Sequence, residues 1–563
     1  YQPKALEFIL GFIHENIDFF PVKKLPAYFL DTNPDSYNCL MLAAEFQPIS
    51  VPTILNFIYT QIENFKPNLI KILFAKNKKG CHSLMLARHH PIAMTSIINF
   101  IHAQPKDVIT ITLEQIFLEK HNLGFTISML TARDHANSLK IILEFIDKNP
   151  ELFTRENLLQ LILEKNELDY NSLMLAARNQ CAGVSHILNF IQNQPEVFSS
   201  LFLNQLLLEH DKNRISTLMI ATRYQPEALK FILDFIQNQP EIFSPSFLNQ
   251  FLVAQDQYGT NALMVAATYQ FKAVELLLNF LTHNIKHISN DTLQEFIFKK
   301  IHDKEAATAV LFGGRYNFKK TILSVTAQYK DSTAIHALLK FIDEHIDLIG
   351  LKIFINLFKE KDNKDNPIFL NTCSNYFFPM KKILNFIATL PDFEALIPIQ
   401  NLVADFIFEQ LARWPVTADD ESLFYKVTYN CSTFLLSYFN ADRFNVYLDN
   451  LESVAKILLC CLHSEFEHKK TKELNQYYFF RLFSSIEPEL QAIEALEKTL
   501  YTESNKIIAL KRLADKHPKF LKSKSILACL FAAFQKIEDL KAEEVCERNY
   551  ENDSRKIQHA MLA

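Results

Sequence analysis

The sequence predicts an all-α protein, a helical solenoid of about nine repeats of ~45 residues and three helices each, followed by a C-terminal helical domain. Two observations carry that expectation. Phenylalanine recurs at Phe12, Phe57, Phe100, Phe145, Phe190, Phe235, Phe280, Phe341 and Phe386, at intervals of 45, 43, 45, 45, 45, 45, 61 and 45 residues. Each sits in one phrase, such as SHILNFIQNQPE or LKFILDFIQNQPE. A fixed period of this length marks stacked units that bury their apolar faces against one another. The second observation is composition: 49 Phe against 8 Gly in 563 residues leaves little material for hairpins, tight turns or phosphate loops. A chain this long outgrows a single core unless it grows by repetition.

The chain opens with YQPKALEFILGFI, which matches RYQPEALKFILDFI from the middle of a later unit, so the sequence is expected to start inside a repeat with a segment upstream. The clearest unit runs from Asn171 to about Asp211. Its first helix, NSLMLAARNQ, places Leu173, Ala176 and Ala177 on one face, and the small alanines allow a second helix to approach closely. In AGVSHILNFIQNQP, Val184, Ile187, Leu188 and Ile191 form the stripe of a second amphipathic helix that Pro195 stops. The third segment, SSLFLNQLLLEHD, sets Leu203, Leu206 and Leu207 to one side, with Ser199 or Ser200 as N-cap. In several copies a proline opens the second helix (Pro48, Pro91, Pro226), where its missing N–H has no helical partner to lose. Six of the nine methionines (Met41, Met85, Met129, Met174, Met219, Met264) share one register of the first helix and read as core between repeats, not as a Met-lined groove.

Repeats therefore span 1–300. The longer interval before Phe341 places an insertion at 301–320, with the Gly313–Gly314 pair beside Arg315, Lys319 and Lys320. No Gly-Lys-Ser/Thr follows, so this is no phosphate loop; it reads as a surface insertion or as a projecting binding loop. Two degenerate repeats occupy 321–399. Residues 400–563, which hold Trp414, read as longer, irregularly spaced helices.

The unit resembles an ankyrin repeat. In DQYGTNALMVAATYQFKAVELLLNFL, Asp256, Gly259, Thr260, Leu263, Ala266, Ala267, Val274, Leu276, Leu277 and Leu278 match that pattern, and NKKGCHSLMLA keeps Gly80, Leu84 and Ala87. It departs from the family at the Thr-Pro-Leu-His tetrapeptide, at the Gly-His turn, in its longer period, and in a third helix where the finger hairpin should lie. A HEAT or armadillo-like unit has the period but not the Gly-x-x-x-Leu-Met-x-Ala-Ala phrase. Expanded units rich in Phe, Asn and Lys are similar in style to those of effectors that intracellular bacteria such as Legionella inject into host cells. That resemblance implies a host protein as partner and the host cytoplasm as the place of action; without it the chain would be placed in its own cytoplasm.

A net charge of −5 argues against a nucleic-acid binder. The nine cysteines (Cys39, Cys81, Cys181, Cys373, Cys431, Cys460, Cys461, Cys529, Cys546) have no framework spacing and fit a reducing compartment. No apolar run approaches the ~18–20 residues of a membrane span, and no signal peptide opens the sequence.

The polar pattern with most to say is Arg88, Arg133, Arg178 and Arg223, spaced 45 apart at the ends of first helices. His90, His135, Gln180, Gln225 and Gln270 follow two positions on. A column of guanidinium groups on the first-helix face, joined by Arg315 from the insertion, suits an acidic or phosphorylated segment or a lipid headgroup. The same arginines are equally open to capping helix carbonyls or pairing with acids of neighbouring units, and the glutamines to hydrogen-bonding unit to unit. Enzyme signals are thin. His463 and Glu467 share a helix face after Cys460 and Cys461, without the spacing of a nucleophile or metal signature, and Asp419, Asp420 and Glu421 read as a solvated turn. Neither cofactor nor metal is expected. The sequence thus reads as a protein-binding scaffold, the alternative being an effector enzyme whose repeats select the substrate and whose C-terminal or upstream part is catalytic.

Overall fold

Each first helix starts at a side-chain cap. Asn38, His82, Thr126, Asn171, Ser216 and Asn261 accept the backbone N–H of Met41, Met85, Met129, Met174, Met219 and Met264, three residues on. Each cap satisfies one of the free N–H groups of a helix start and anchors methionine in its third position. The computed structural model describes residues 3–105, 112–298, 322 and 333–349, and among these the protein is all-helical, with only two isolated β-bridges, His210–Ser216 and Gln255–Asn261.

First helices are Cys39–Phe46, Ser83–Leu86 (continued by the tighter turn Ala87–His89), Ile127–Asp134, Ser172–Asn179, Thr217–Tyr224 and Ala262–Tyr269. Second helices are Pro3–Glu15, Ser50–Thr60, Pro91–His102, Ala136–Lys148, Cys181–Gln192, Pro226–Gln237 and Phe271–Asn284. Third helices run Leu25–Leu30, Leu69–Phe74, Leu113–Leu118, Arg155–Leu163, Ser200–Leu208, Pro245–Val253 and Asn290–Phe298. First helices pack on first, second on second and third on third in neighbouring units. The chain divides into two compact units, Tyr1–Ile322 and Leu323–Ala563. The described part of the latter is Thr333–Glu344, whose Phe341 is buried, and Ile346–Ile349. The 301–320 insertion, most of the 321–399 repeats and the 400–563 domain lie outside the described residues, Trp414, Asp419, Asp420, Glu421, Cys460, Cys461, His463 and Glu467 among them.

The six methionines are at most 1% exposed, as core residues between units should be. Phe57, Phe190 and Phe235 are likewise buried, and each ring meets the phenylalanine eight residues on: Phe65, Phe198 and Phe243, at 5.7–6.2 Å. Phe12 departs from that stripe, being 54% exposed. Phe12 keeps a ring contact eight residues on, with Phe20 at 6.3 Å, while Phe57 in addition stacks on Phe29 of the preceding third helix.

Four details refine the expectation. Of the two caps the sequence offered, Ser199 caps the third helix by accepting the Phe202 N–H. Pro91 and Pro226 open their helices, but Pro48 lies two residues before Ser50–Thr60. Pro52 explains the delay: a helix begun at Pro48 would set the Pro52 ring against the carbonyl four residues back. The interval of 43 has two sources: Phe57 and Met85 are 28 residues apart against 29 for the corresponding pairs, and Met85 and Phe100 are 15 apart against 16. A 3₁₀ turn, Ala87–His89, closes that helix with fewer residues per turn.

The fourth is that a third helix does not replace a turn between units; both are present. Asn33, Asn77, Asn166, Asp211 and Asp256 each accept two backbone N–H groups, two and four residues on, at 2.8–3.0 Å. The residue three on is left-handed each time: Ser36, Gly80, Asp169, Arg214 and Gly259, with φ of 61–80°. Successive turns hydrogen-bond to one another, as in Asn122 N–H to the Lys79 carbonyl and Gln257 N–H to the Asn213 carbonyl. At Gly80 a Cβ would run into Asn122 Oδ1 and come within 2.8 Å of its backbone nitrogen, so glycine there serves both the φ and the neighbour's approach. A run of ion pairs, Lys76–Glu119, Lys120–Glu164 and Lys165–Glu209, adds further unit-to-unit ties beside the third helices.

Candidate interaction surface

The first helices expose their last turn, and the arginines of the column lie there. Cations favour that position because the unpaired carbonyls of a helix C-terminus are its negative end. Arg133, Arg178 and Arg223 each follow their methionine by four residues. Arg88 follows by three because its unit is the short one, so even 45-residue spacing conceals a shift of register.

The column divides into two environments. Arg88 Nε donates to Asp134 Oδ2 at 2.8 Å across the unit boundary, and its Nη1 reaches the Met85 carbonyl. Arg133 grips the same carboxylate through Nε and Nη2, at 2.5 and 2.8 Å. The Asp134 side chain is only 13% exposed. Burial alone would raise its carboxyl; the hydrogen bonds and charges of Arg133 and Arg88 outweigh burial and hold it below the usual carboxylate range. His89, 3.8 Å from Asp134, is pushed down by burial and by Arg88. An aspartate in the last helical turn faces the negative end of the dipole, so the two arginines offset an unfavourable position. Arg133 also lies over the Phe125 ring, at 5.0 Å. Two cations here are committed to one acid.

Arg178 and Arg223 have no such acid. The Arg178 guanidinium lies 5.9 Å from the Tyr170 ring and 5.1 Å from Tyr224; that of Arg223 lies 5.1 Å from Tyr224 and 4.5 Å from Tyr269. Tyr170, Arg178, Tyr224, Arg223 and Tyr269 therefore alternate along three units. Among the described residues, neither side chain makes a hydrogen bond or an ion pair. Arg178 is exposed, Arg223 half-buried and Tyr224 39% exposed. Each ring contact contributes about 0.5–1 kcal/mol at such a site. Burial, with Asp211 nearby, pushes the Tyr170 phenol up to about 12, and burial raises Tyr269, so both rings stay neutral. Both guanidinium carbons lie 5.1 Å from the Tyr224 centroid, so they are at most about 10 Å apart. At that separation like charges repel by roughly 0.4 kcal/mol in water and about 1.7 kcal/mol at an effective dielectric of 20. An anion relieves that repulsion.

Two members of the second column tie neighbouring units together. His90 Nε2 bonds the Glu45 carbonyl at 3.1 Å, and Gln270 Nε2 donates to the Arg223 carbonyl, each reaching one unit back. His135 Nδ1 accepts the Ser138 N–H and caps its own helix. Arg315 lies outside the described residues.

Asp134, Tyr224 and Tyr269 escape a search for columns of one residue type, because the position after the arginine varies: Asp134, Asn179, Tyr224. The signal that could have found them is the residue next to each cation. Among the described residues no three His, Cys, Asp or Glu side chains gather as a metal site, Cys39, Cys81 and Cys181 are unbridged, and no helix is long and apolar enough to cross a membrane. No protein-family profile matches the chain, and no curated protein does.

Proposed function

We propose that this chain is a non-catalytic protein-binding scaffold: an ankyrin-like solenoid of about nine repeats that holds an acidic segment of a partner on the exposed ends of its first helices. The observation that carries it is the pair Arg178 and Arg223, two cations supported by tyrosines and left without a carboxylate in a chain of net charge −5. The rings leave the charge of both guanidiniums without an internal counter-ion, whereas Arg88 and Arg133 share Asp134. The ankyrin-like reading is supported by the turn before each first helix, with its left-handed residue and its bonds to the next turn. The resemblance to injected effectors makes the partner a host protein and its compartment the host cytoplasm.

A photo-crosslinking residue at position 179, beside Arg178, tests this in eukaryotic lysate. The reading expects one host protein to be crosslinked by the wild type and lost from the Arg178→Glu/Arg223→Glu variant, which should still melt as a folded chain. The same catch from both forms contradicts it.

A further inference from the structure

We propose that the N-terminal end of the array is a docking groove and that its occupant is a helix of the first kind, carried by the same polypeptide ahead of Pro3. The observations behind it are independent of the arginine column.

The helix Pro3–Glu15 is a second helix that exposes a face which later units bury. Ile9 is 53% exposed, whereas Ile54, Ile97, Ile142, Ile187, Ile232 and Leu277 hold the same position and are at most 2% exposed. The first helix that follows, Cys39–Phe46, repeats the contrast. Its Leu42 is half-buried, while Leu86, Leu130, Leu175, Ile220 and Val265 are at most 4% exposed. Against these two helices lies a cavity of about 440 Å³, whose lining includes Leu6, Leu10, Ile13, Cys39, Leu42 and Ala43.

The later units show what fills the corresponding space. There each first helix packs on the one before it, as Ser172–Asn179 does on Ile127–Asp134 and Thr217–Tyr224 on Ser172–Asn179. The groove beside Cys39–Phe46 continues that interface by one place. Ala5 carries the imprint of the same neighbour. Its counterparts Ser50, Ala93, Ser138, Gly183, Ala228 and Ala273 are all small and all buried. A Cβ at Gly183 would stand 3.2 Å from the Ala176 Cβ of its own first helix, so that helix keeps the position small. Ala5 is small as well, yet exposed.

The linkage of the units points to the source. One residue separates a first helix from its second, as between Asn179 and Cys181 or Tyr224 and Pro226. These first helices have 8 residues, too few to persist alone in water. A free peptide would have to be ordered on binding, whereas a short covalent link presents the helix at an effective concentration on the order of millimolar.

The test joins a copy of residues 211–223 ahead of Tyr1 in the full chain, so that RYQPKALEFIL reproduces the RYQPEALKFIL of a later unit. Amide hydrogen exchange in the helix Pro3–Glu15 should slow at least about tenfold. Ala5→Leu should leave the melt of the ungrafted chain unchanged, because Ala5 is exposed, and should undo the slowing in the grafted one. No slowing overturns the proposal, and slowing that survives Ala5→Leu places the graft elsewhere and overturns it too. An ungrafted chain that sediments as a dimer, and that Ile9→Asp turns into a monomer, overturns it in favour of a second copy. An ungrafted monomer whose Pro3–Glu15 amides are already as protected as those of Cys181–Gln192 overturns it in favour of a cover from elsewhere in the chain.

Discussion

Arg133 and Arg178 hold the same register in neighbouring units, yet they do different work. Arg133 is spent on Asp134, together with Arg88 from the unit before; Arg178 lies between tyrosines with nothing to neutralise it. The helices beneath are alike, down to the capped methionine at the third position. What differs is the next residue, Asp134 in one unit and Asn179 in the other, and the rings alongside. In a repeat array the backbone fixes where a side chain emerges, and the neighbouring residue decides whether its charge is internal or on offer.

The largest effects should be the same on both sides. Met129→Ala and Met174→Ala are fully buried truncations and should each cost about 2–5 kcal/mol in chemical denaturation. A large difference between them would mean that the cores differ too, and the comparison would no longer isolate the surface. Next comes Asp134→Ala, which leaves Arg88 and Arg133 partly buried and unpaired. It should cost about 1–3 kcal/mol, reduced from the fully buried case because both guanidiniums reach water. No loss on denaturation would make the acid ornamental.

Acid should also act on the Arg88 side, through His82. Its side chain is fully buried, its Nδ1 accepts the Met85 N–H, and Nε2 makes no hydrogen bond. Glu119 Oε2 lies 3.6 Å away but is already paired with Lys76. Burial and Lys76 push the imidazole from 6.5 down to about 3. The unfolded chain therefore takes up the proton first. The stability this group allows is complete above pH 6.5 and declines as pH falls toward 3, by about 1–2 kcal/mol between pH 7 and pH 5. His82→Asn, the residue of Asn171 and Asn261 at the same cap, should flatten that part of the pH profile. An unchanged profile would assign the acid sensitivity elsewhere.

The smallest effect on stability should have the largest effect on binding. Asn179→Asp sets a carboxylate beside Arg178 as Asp134 stands beside Arg133. Denaturation should move by under ~0.5 kcal/mol, and capture of the crosslinked partner should fall.

Helix type, period, methionine core and first-helix arginines were legible in the sequence because each follows from spacing alone. The turns were not. Their left-handed residue is glycine in three described units but Ser36, Asp169 or Arg214 in the others, and only glycine announces itself. Arg88 was misaligned because a single missing residue hides inside a 3₁₀ turn and leaves the arginine interval at 45. The division of the column was hidden for another reason. Asp134, Tyr224 and Tyr269 each reach a cation 46 residues earlier, so the residue beside an arginine has to be read against the preceding unit as well as its own.

The central claim is that one half of the column stabilises and the other half binds. Arg88→Ala/Arg133→Ala and Arg178→Ala/Arg223→Ala, each followed by thermal melt and by partner capture, test it most directly. The account predicts a crossover: the first variant melts lower and still captures, and the second remains folded, loses no more stability than its ring contacts supply, and captures nothing. Loss of capture in the first variant while it remains folded, or its retention in the second, would contradict it.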